Sequence, residues 1–247
     1  MKIALIGDVH ANLPALETVL EHAKKQGAVA TWNVGDWVGY NAFPNEVVER
    51  LRSAGAVSIV GNYDLKALRF PKKRAKWKTG KQPEKWQAFR YAYKSLTDQN
   101  RRYLRALPLE IKLRYKDKHI LLTHGSPASN TEALTPDTPE ERLQTLAQMA
   151  HADVVVCGHS HRPFARQVND VWFINTGSVG RPDDGDPRAA YALLNLTKRD
   201  LTVQHFRLAY DVERAANAIR KAGLPEAFAQ MLILGCNLDE YYSRGNG

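Results

Sequence analysis

Five times in this chain an apolar run of strand length stops beside a glycine and delivers a polar side chain. Residues 3–6 lead to Gly7, Asp8 and His10, residues 29–34 to Gly35 and Asp36, and residues 57–60 to Gly61 and Asn62. Residues 119–123 lead to His124 and Gly125, and residues 153–157 to Gly158, His159 and His161. Short apolar runs bounded by turn residues read as buried strands. Helical spacings separate the first three: Leu13, Leu16, Val19, Leu20 and Ala23 share a face after Asn12 as cap and Pro14 in the first turn. Val47, Val48 and Leu51 follow Asn45, which is expected to cap a second helix. This βαβαβ order implies parallel strands with right-handed crossovers. In such a sheet ligands bind at the C-terminal rim of the strands, where glycine lets the backbone turn sharply and approach a ligand closely. Asp and His together are also the mixed oxygen and nitrogen donors that transition metals favour.

The remaining segments complete a layered plan. Residues 65–107 read as helical, with Trp86, Phe89, Tyr93 and Leu96 on one face. Thr97 is expected to cap a second short helix there, stopped by Pro108. Thr138 and Pro139 should start a helix carrying Leu143, Leu146 and Ala147. Runs 171–175, 189–196 and 201–207 have short connections and read as a mostly antiparallel second sheet, followed by helices over 212–222 and 226–234. Residues 243–247 are expected to fray. Charge is uneven. Between Lys66 and Lys118 there are 18 Lys and Arg against 4 acids, a surplus of +14, so the rest carries −5 of the net +9. That asymmetry fits attraction to an anionic partner, nucleic acid included, or a solvated helical face. No stretch approaches the roughly 20 apolar residues of a membrane helix. The N-terminus lacks the pattern of a signal peptide, and two cysteines make no disulfide framework. A cytoplasmic setting with no membrane partner is expected.

In order the five blocks read "DVH" at 8–10, "GD" at 35–36, "GNYD" at 61–64, "HG" at 124–125 and "GHSH" at 158–161. The chain thereby resembles the calcineurin-like metallophosphoesterase superfamily. Its "GDWVGYNAFPNE" and "NTGSVGRPDDGDPRAAY" stretches are similar to the compact prokaryotic branch of phosphodiesterases and dinucleoside-polyphosphate hydrolases. The resemblance implies an α/β fold: a four-layer αββα sandwich of two mixed sheets flanked by helices. Residues 1–247 then form a single domain with a basic helical insertion at about 65–107. It further implies two divalent metal ions, one on Asp8, His10, Asp36 and His161, the other on Asp36, Asn62, His124 and His159. Asp36 bridges, since a carboxylate has two oxygens for cations about 3.5–4 Å apart. The ions would lower the pKa of a shared water, so that hydroxide attacks phosphorus in line with the leaving group. Such donors suit manganese, iron, zinc, cobalt or nickel, and the family implies manganese.

One block departs from the pattern. Where the family has a histidine after Gly-Asn, thought to aid the transition state or the leaving group, this chain has Tyr63. A phenol donates a hydrogen bond but cannot supply an imidazolium's charge. Asp64 would orient that histidine, or cap a helix starting at Leu65. Asn12, Arg181 and Arg188 are candidate substrate contacts, with helix capping the competing explanation for Asn12. Trp37 could stack on a base or simply pack, Cys157 should be buried and inert, and Tyr40 is not expected to be a metal ligand. The expected activity is hydrolysis of phosphoester or phosphoanhydride bonds in a small, nucleotide-like phosphorylated substrate, with Asp36, Asn62 and Tyr63 as catalytic residues. One rival is a nuclease or nucleic-acid-binding phosphodiesterase using the basic insertion. The other is a non-catalytic scaffold like the retromer subunit of this fold, which the complete set of seven ligands opposes.

Overall fold

Alternate side chains of β1 (Lys2–Ile6) point to opposite faces, and both faces are buried. Ile3 and Leu5 pack with Ile120, Leu122, Val154, Val156 and Ile174, whereas Ala4 and Ile6 pack with Leu16, Val19 and Leu20. A strand buried on both sides needs a layer on each, and here one is a second sheet and the other is helical. In the computed structural model, which describes residues 1–197 and 200–245, the first half runs β1, α1 (Leu13–Lys25), β2 (Ala30–Asn33), α2 (Pro44–Ser53), β3 (Val57–Ser58), α3 (Asn62–Gly80), α4 (Pro83–Ser95) and α5 (Asp98–Ala106). There follow β4 (Glu110–Tyr115), β5 (Lys118–Thr123), α6 (Glu140–Ala150), β6 (Val154–Cys157), β7 (Phe164–Val168) and β8 (Val171–Asn175). The chain ends with β9 (Ala189–Leu196), β10 (Leu201–Leu208), α7 (Val212–Lys221), α8 (Glu226–Leu234) and α9 (Leu238–Ser243). Of the tail expected to fray, Ser243 closes α9, while Asn246 and Gly247 lie outside the described residues.

The strands form two mixed five-stranded sheets, ordered β10-β9-β1-β2-β3 and β4-β5-β6-β8-β7. Between them lies an apolar layer drawn from both. The outer face of the first sheet is covered by α1, α2 and α5, and that of the second by α6. This is the expected αββα arrangement, but the later strands are distributed differently. Rather than forming a second sheet together, β9 and β10 extend the first sheet, with β9 antiparallel to β1 through Ile3 opposite Leu194. β8 joins the other sheet parallel to β6.

Local expectations fared unevenly. Asn12 caps α1, its side chain accepting from the Ala15 N–H, and Thr97 caps α5 through the Asn100 N–H. Asn45 does not cap α2; the helix starts at Pro44, and the Asn45 side chain instead reaches Ser95, Thr97 and Asn100 across to α5. Thr138 does not cap α6, which follows Pro139; its hydroxyl accepts from the Thr135 N–H. α3 starts at Asn62, three residues before Leu65.

Candidate metal centre

Every one of the five strand ends arrives at the same rim. β1, β2 and β3 of one sheet, and β5 and β6 of the other, place Asp8, His10, Asp36, Asn62, His124, His159 and His161 together. The loops are tied directly. Asp8 N–H donates to Gly35 O at 2.9 Å, His10 N–H to Asp36 O at 2.9 Å, and Gly158 N–H to His124 O at 2.9 Å. Gly35 adopts φ +100°, and a β-carbon there would lie 2.5 Å from Gly61 N. One on Gly61 would run into the Asp36 carboxylate. Only glycine allows these two loops to approach so closely.

Two groups of side chains could each hold a cation: Asp8, His10 and His161, and Asp8, Asp36 and His124. Within them His161 Nε2 lies 3.2 Å from Asp8 Oδ1, and His124 Nε2 lies 3.5 Å from Asp36 Oδ1. His10 Nε2 is 3.8 Å from Asp36 Oδ2 and 3.3 Å from His161 Nε2. Asp36 thus turns one oxygen toward His124 and the other toward His10. Asn62 and His159 stand beside this cluster, with Asn62 Nδ2 at 3.1 Å from His159 Nδ1 and the His159 ring edge-on to His124 at 5.1 Å.

The rings are held from behind. Nδ1 of His10, His124 and His161 faces the carbonyls of Val38, Val34 and Arg181, at 3.4, 2.8 and 2.8 Å. A backbone acceptor on Nδ1 leaves Nε2 to face inward, which is how metal-binding histidines are oriented. His159 is turned the other way, with Nε2 on Thr131 O at 3.1 Å and Nδ1 toward Asn62. Buried atoms without a hydrogen-bond partner include Asp8 Oδ1, Asn62 Oδ1 and His124 Nε2. Orphaned donors and acceptors are costly to bury. Asp8 and His124 belong to one of the two candidate cation groups, and Asn62 stands beside it; unpartnered atoms of metal-ligand type there fit a cation. The residues present therefore suit the group that the resemblance implies.

The backbone is strained at the same place. Asp8, His10, Asp36, His159 and His161 all lie in the left-handed region, with φ between 47° and 67°. Each such residue costs on the order of 1–3 kcal/mol and persists only where its surroundings over-determine it.

Charge is poised by the cluster itself. Burial opposes ionisation of Asp8 and Asp36, but nearby His161 and His124 outweigh it and hold both carboxyls below their usual range. Burial presses down on His124 too, yet the Asp36 carboxylate raises it to about 9. His161 also reaches about 9, where burial and Arg181 are overcome by Asp183 and Asp8. His10 is lowered to about 3, chiefly by burial.

The remaining expected residues are placed as follows. The Tyr63 hydroxyl pairs with that of Tyr40, its ring stands edge-on to His10 at 5.3 Å, and its N–H donates to Asp36 Oδ1 at 2.7 Å. Arg181 is largely buried; its guanidinium lies 4.5 Å from the Tyr40 ring centroid, and its Nε has no partner. Arg188 is on the surface, paired with Asp186 at 2.6 Å. Asn12 has its side chain engaged by Ala15 N–H, Gly180 O and Tyr210 OH. Trp37 is fully buried and packs on Tyr103, and Cys157 lies in the core with its thiol pushed up by burial.

Two supporting residues escaped the sequence reading. Asp183 lies 3.4 Å from His161 Nδ1, in a loop where only the arginines drew notice. Asn175, at the end of β8, ties Gly158 O, Leu134 O and Ser160 Oγ together. "FINTG" is a sixth apolar run ending in a polar residue near glycine, and that pattern could have found it.

Comparison with known proteins agrees with this geometry. The sequence profile of the calcineurin-like phosphoesterase superfamily domain matches residues 1–199. An uncharacterised protein of Methanocaldococcus jannaschii is 32% identical over 94% of this chain and 98% of its own length. The phosphodiesterase YfcE of Escherichia coli is 28% identical over 79% of this chain and 88% of its own. Among solved structures, a metallophosphoesterase from Sphaerobacter thermophilus superimposes with TM-score 0.79 at 28% identity, covering 95% of this chain and 100% of that one.

Proposed function

The chain belongs to the calcineurin-like phosphoesterase superfamily and is a metal-dependent phosphoesterase, and from that premise we propose that it hydrolyses phosphodiester or phosphoanhydride bonds of small nucleotide-like substrates at a two-metal centre. The observation that carries this reading is the Asp36 carboxylate, with one oxygen toward His124 and the other toward His10. Asp8, His10, Asp36 and His161 would hold one ion, and Asp36, Asn62, His124 and His159 the other, manganese being the expected metal. Two divalent ions so held would polarise a phosphoryl oxygen and acidify a water at neutral pH.

This chain's own residues do the rest. The carbonyls behind His10, His124 and His161 fix which nitrogen faces inward, so the site needs little reorganisation on loading. Arg181 holds a permanent charge beside His161, buried against Asp183 and the Tyr40 ring, so that it adds positive charge behind the site. Tyr63 brings a neutral hydroxyl to the same rim, suited to hydrogen bonding rather than to carrying charge. A diester preference is supported by the similarity to YfcE, a phosphodiesterase. On this reading residues 1–247 form one domain with a basic helical insertion at about 65–107; in support, β10, beyond the matched 199 residues, lies in the same sheet as β1.

The test is a panel of aryl phosphodiesters, nucleotides and monoesters assayed with added manganese, together with metal content. Wild type should bind two ions per chain, and Asp36→Asn should lose hydrolysis and both ions. That loss should exceed the roughly 10–100-fold that removal of an outer-shell partner costs. Full activity in Asp36→Asn, or one ion per fully loaded wild-type chain, would end the two-metal reading.

A further inference from the structure

The loop over residues 37–43 is tied to the backbone of the metal cluster. His10 O accepts from the Asn41 side-chain amide at 2.9 Å and from Asn41 N–H at 3.3 Å, and Ala11 O accepts from Phe43 N–H at 3.1 Å. Tyr40, beside these ties, lies in the left-handed region at φ 65°. A bulky residue keeps that conformation only where its surroundings hold it there. Its ring is enclosed by the edge-on His10 ring at 5.4 Å, the Tyr63 ring at 5.0 Å, Phe228 of α8 at 5.0 Å and the Arg181 guanidinium at 4.5 Å. Gly39, at φ +105°, passes so near the Tyr63 ring that a β-carbon there would lie 3.2 Å from Tyr63 Cδ1. This packing brings the Tyr40 and Tyr63 hydroxyls into hydrogen bond with each other.

Two hydroxyls that meet share one hydrogen, and the other hydrogen must find its own acceptor. Tyr40 is 3% exposed, and among the described residues its hydroxyl has Tyr63 alone as partner. Were Tyr40 to accept, its own hydrogen would be buried unpaired, which is costly. Tyr63 is only half-buried, so its hydrogen can reach beyond the protein. We propose that Tyr40 is a positioning residue: it donates its hydroxyl hydrogen to Tyr63 and so leaves the Tyr63 hydroxyl aimed as a donor at the substrate. The proposal rests on the hydrolytic reading above and on the place of Tyr63 in it. The Tyr63 phenol keeps its proton throughout and offers a hydrogen bond to a substrate oxygen as charge gathers there. A donor fixed beforehand serves the transition state better than one that must turn into place. Without the Tyr40 hydroxyl, that of Tyr63 rotates to suit water instead.

The experiment is a double-mutant cycle of Tyr40→Phe and Tyr63→Phe on manganese-loaded protein. It reads kcat and KM for an aryl phosphodiester, vanadate binding by calorimetry, metal content and melting temperature. Tyr40→Phe keeps the ring and strands no donor, because the half-buried Tyr63 hydroxyl can turn to water. Each single variant should lower kcat about tenfold, the upper end of what one hydrogen bond between neutral groups contributes, with KM changed less. The double variant should lose no more than Tyr63→Phe alone, since residues that act through one another are not additive. Vanadate, which imitates the transition state, should bind about tenfold more weakly to both single variants, and phosphate about as before. A purely structural Tyr40 would instead lower metal content or melting temperature, and would cost the Tyr63→Phe background as much as wild type. That result, or unchanged kcat in either single variant, would overturn the positioning role. A failed hydrolytic reading would show separately, as no cleavage of the substrate panel by wild type, and the vanadate cycle would then decide whether Tyr40 acts through Tyr63.

Discussion

Tyr63 is the residue at which this chain leaves the pattern it otherwise follows. Burial and the adjoining Tyr40 raise its pKa well above the ordinary phenol value, so near neutrality it stays a neutral donor. A leaving group that needs a proton is therefore poorly served. Aryl alcohols and nucleotide phosphates depart without one, and alkyl alcohols do not, so aryl diesters should be cut much faster than alkyl esters. Tyr63→His should narrow that gap by accelerating the alkyl esters, general acid catalysis being worth about 10²–10⁴-fold. A leaving-group series on both proteins checks this, and equal alkyl and aryl rates in wild type would assign the proton to another residue. The histidines carry a second expectation. His124 and His161, both raised to about 9, retain a proton at pH 7.5 in metal-free protein. Their folded pKa exceeds the ordinary 6.5, so they stabilise that form below pH 6.5 and cease to as pH passes about 9. His10 works oppositely: lowered to about 3, it favours folding above 6.5 and costs stability on acidification. Metal must displace the protons on His124 and His161. Affinity should therefore climb from pH 6 toward 9, with release of one to two protons, measurable by calorimetry in buffers of different ionisation enthalpy. Binding independent of pH over that range would contradict it.

One carboxylate joins the loop after β2 to the start of α3. Asp64 accepts from Trp37 and Val38 N–H on one oxygen and from Gly61 N–H on the other, at 2.9, 3.1 and 2.9 Å. Burial and the nearby Asp36 raise its pKa to about 8 despite these donors. Asp64→Ala would leave three buried N–H groups unpaired, at about 1–3 kcal/mol each. A loss of about 3 kcal/mol lowers the melting temperature by about 6–12 °C in a chain this size. Metal should bind more weakly too, because Asp36 and Asn62 stand at the two ends Asp64 joins. An unchanged melting temperature would mean that water replaces the carboxylate. A capping role for Asp64 was open to sequence reasoning; its reach to Trp37 was not, since that depends on where β2 ends in space. The same division holds elsewhere. β1, β2, β5, β6 and β8 are legible because strands that run into the buried layer between the sheets are written as short, mainly apolar runs. β4 alternates exposed and half-buried residues at a sheet edge, within a charge-rich stretch that offers no apolar run to notice. The place of β9 beside β1 was equally hidden, since it is decided by pairing Ile3 with Leu194, far apart in sequence. The seven candidate ligands were legible from their glycine-flanked spacing, whereas the left-handed backbones of five of them and Asp183 behind His161 emerge only when the loops meet.

Across the whole molecule the charge surplus and the metal centre meet along one helix. α3 starts at the site, and Lys72, Lys73, Arg74, Lys76 and Lys78 are exposed farther along it. Fully exposed lysines cost little to leave solvated, and their fields reach the site only as far as salt allows. The Debye length is about 30 Å at 0.01 M and about 3 Å at 1 M. α3 is 19 residues long, about 28 Å at the helical rise, so at low salt its whole length acts on an approaching anion and at high salt almost none does. Neutralising these five residues should accordingly raise KM for a nucleotide substrate at 0.01 M salt more than it lowers kcat, and the difference should vanish toward 1 M. A nuclease would behave otherwise. A single-stranded polymer contacting five cations should lose affinity with a log–log salt slope of about −3.5, from 0.7 per phosphate neutralised, and neutralisation should flatten that slope. A small-nucleotide enzyme has no such slope to flatten, because its substrate spans the site and not the helix. The deciding measurement is oligonucleotide binding over a salt series, in wild type and the neutralised variant, beside KM for a nucleotide. A steep polymer slope that the variant abolishes would move the assignment to nucleic acid. An unchanged KM at low salt would leave the outer part of α3 as a solvated face with no part in capture.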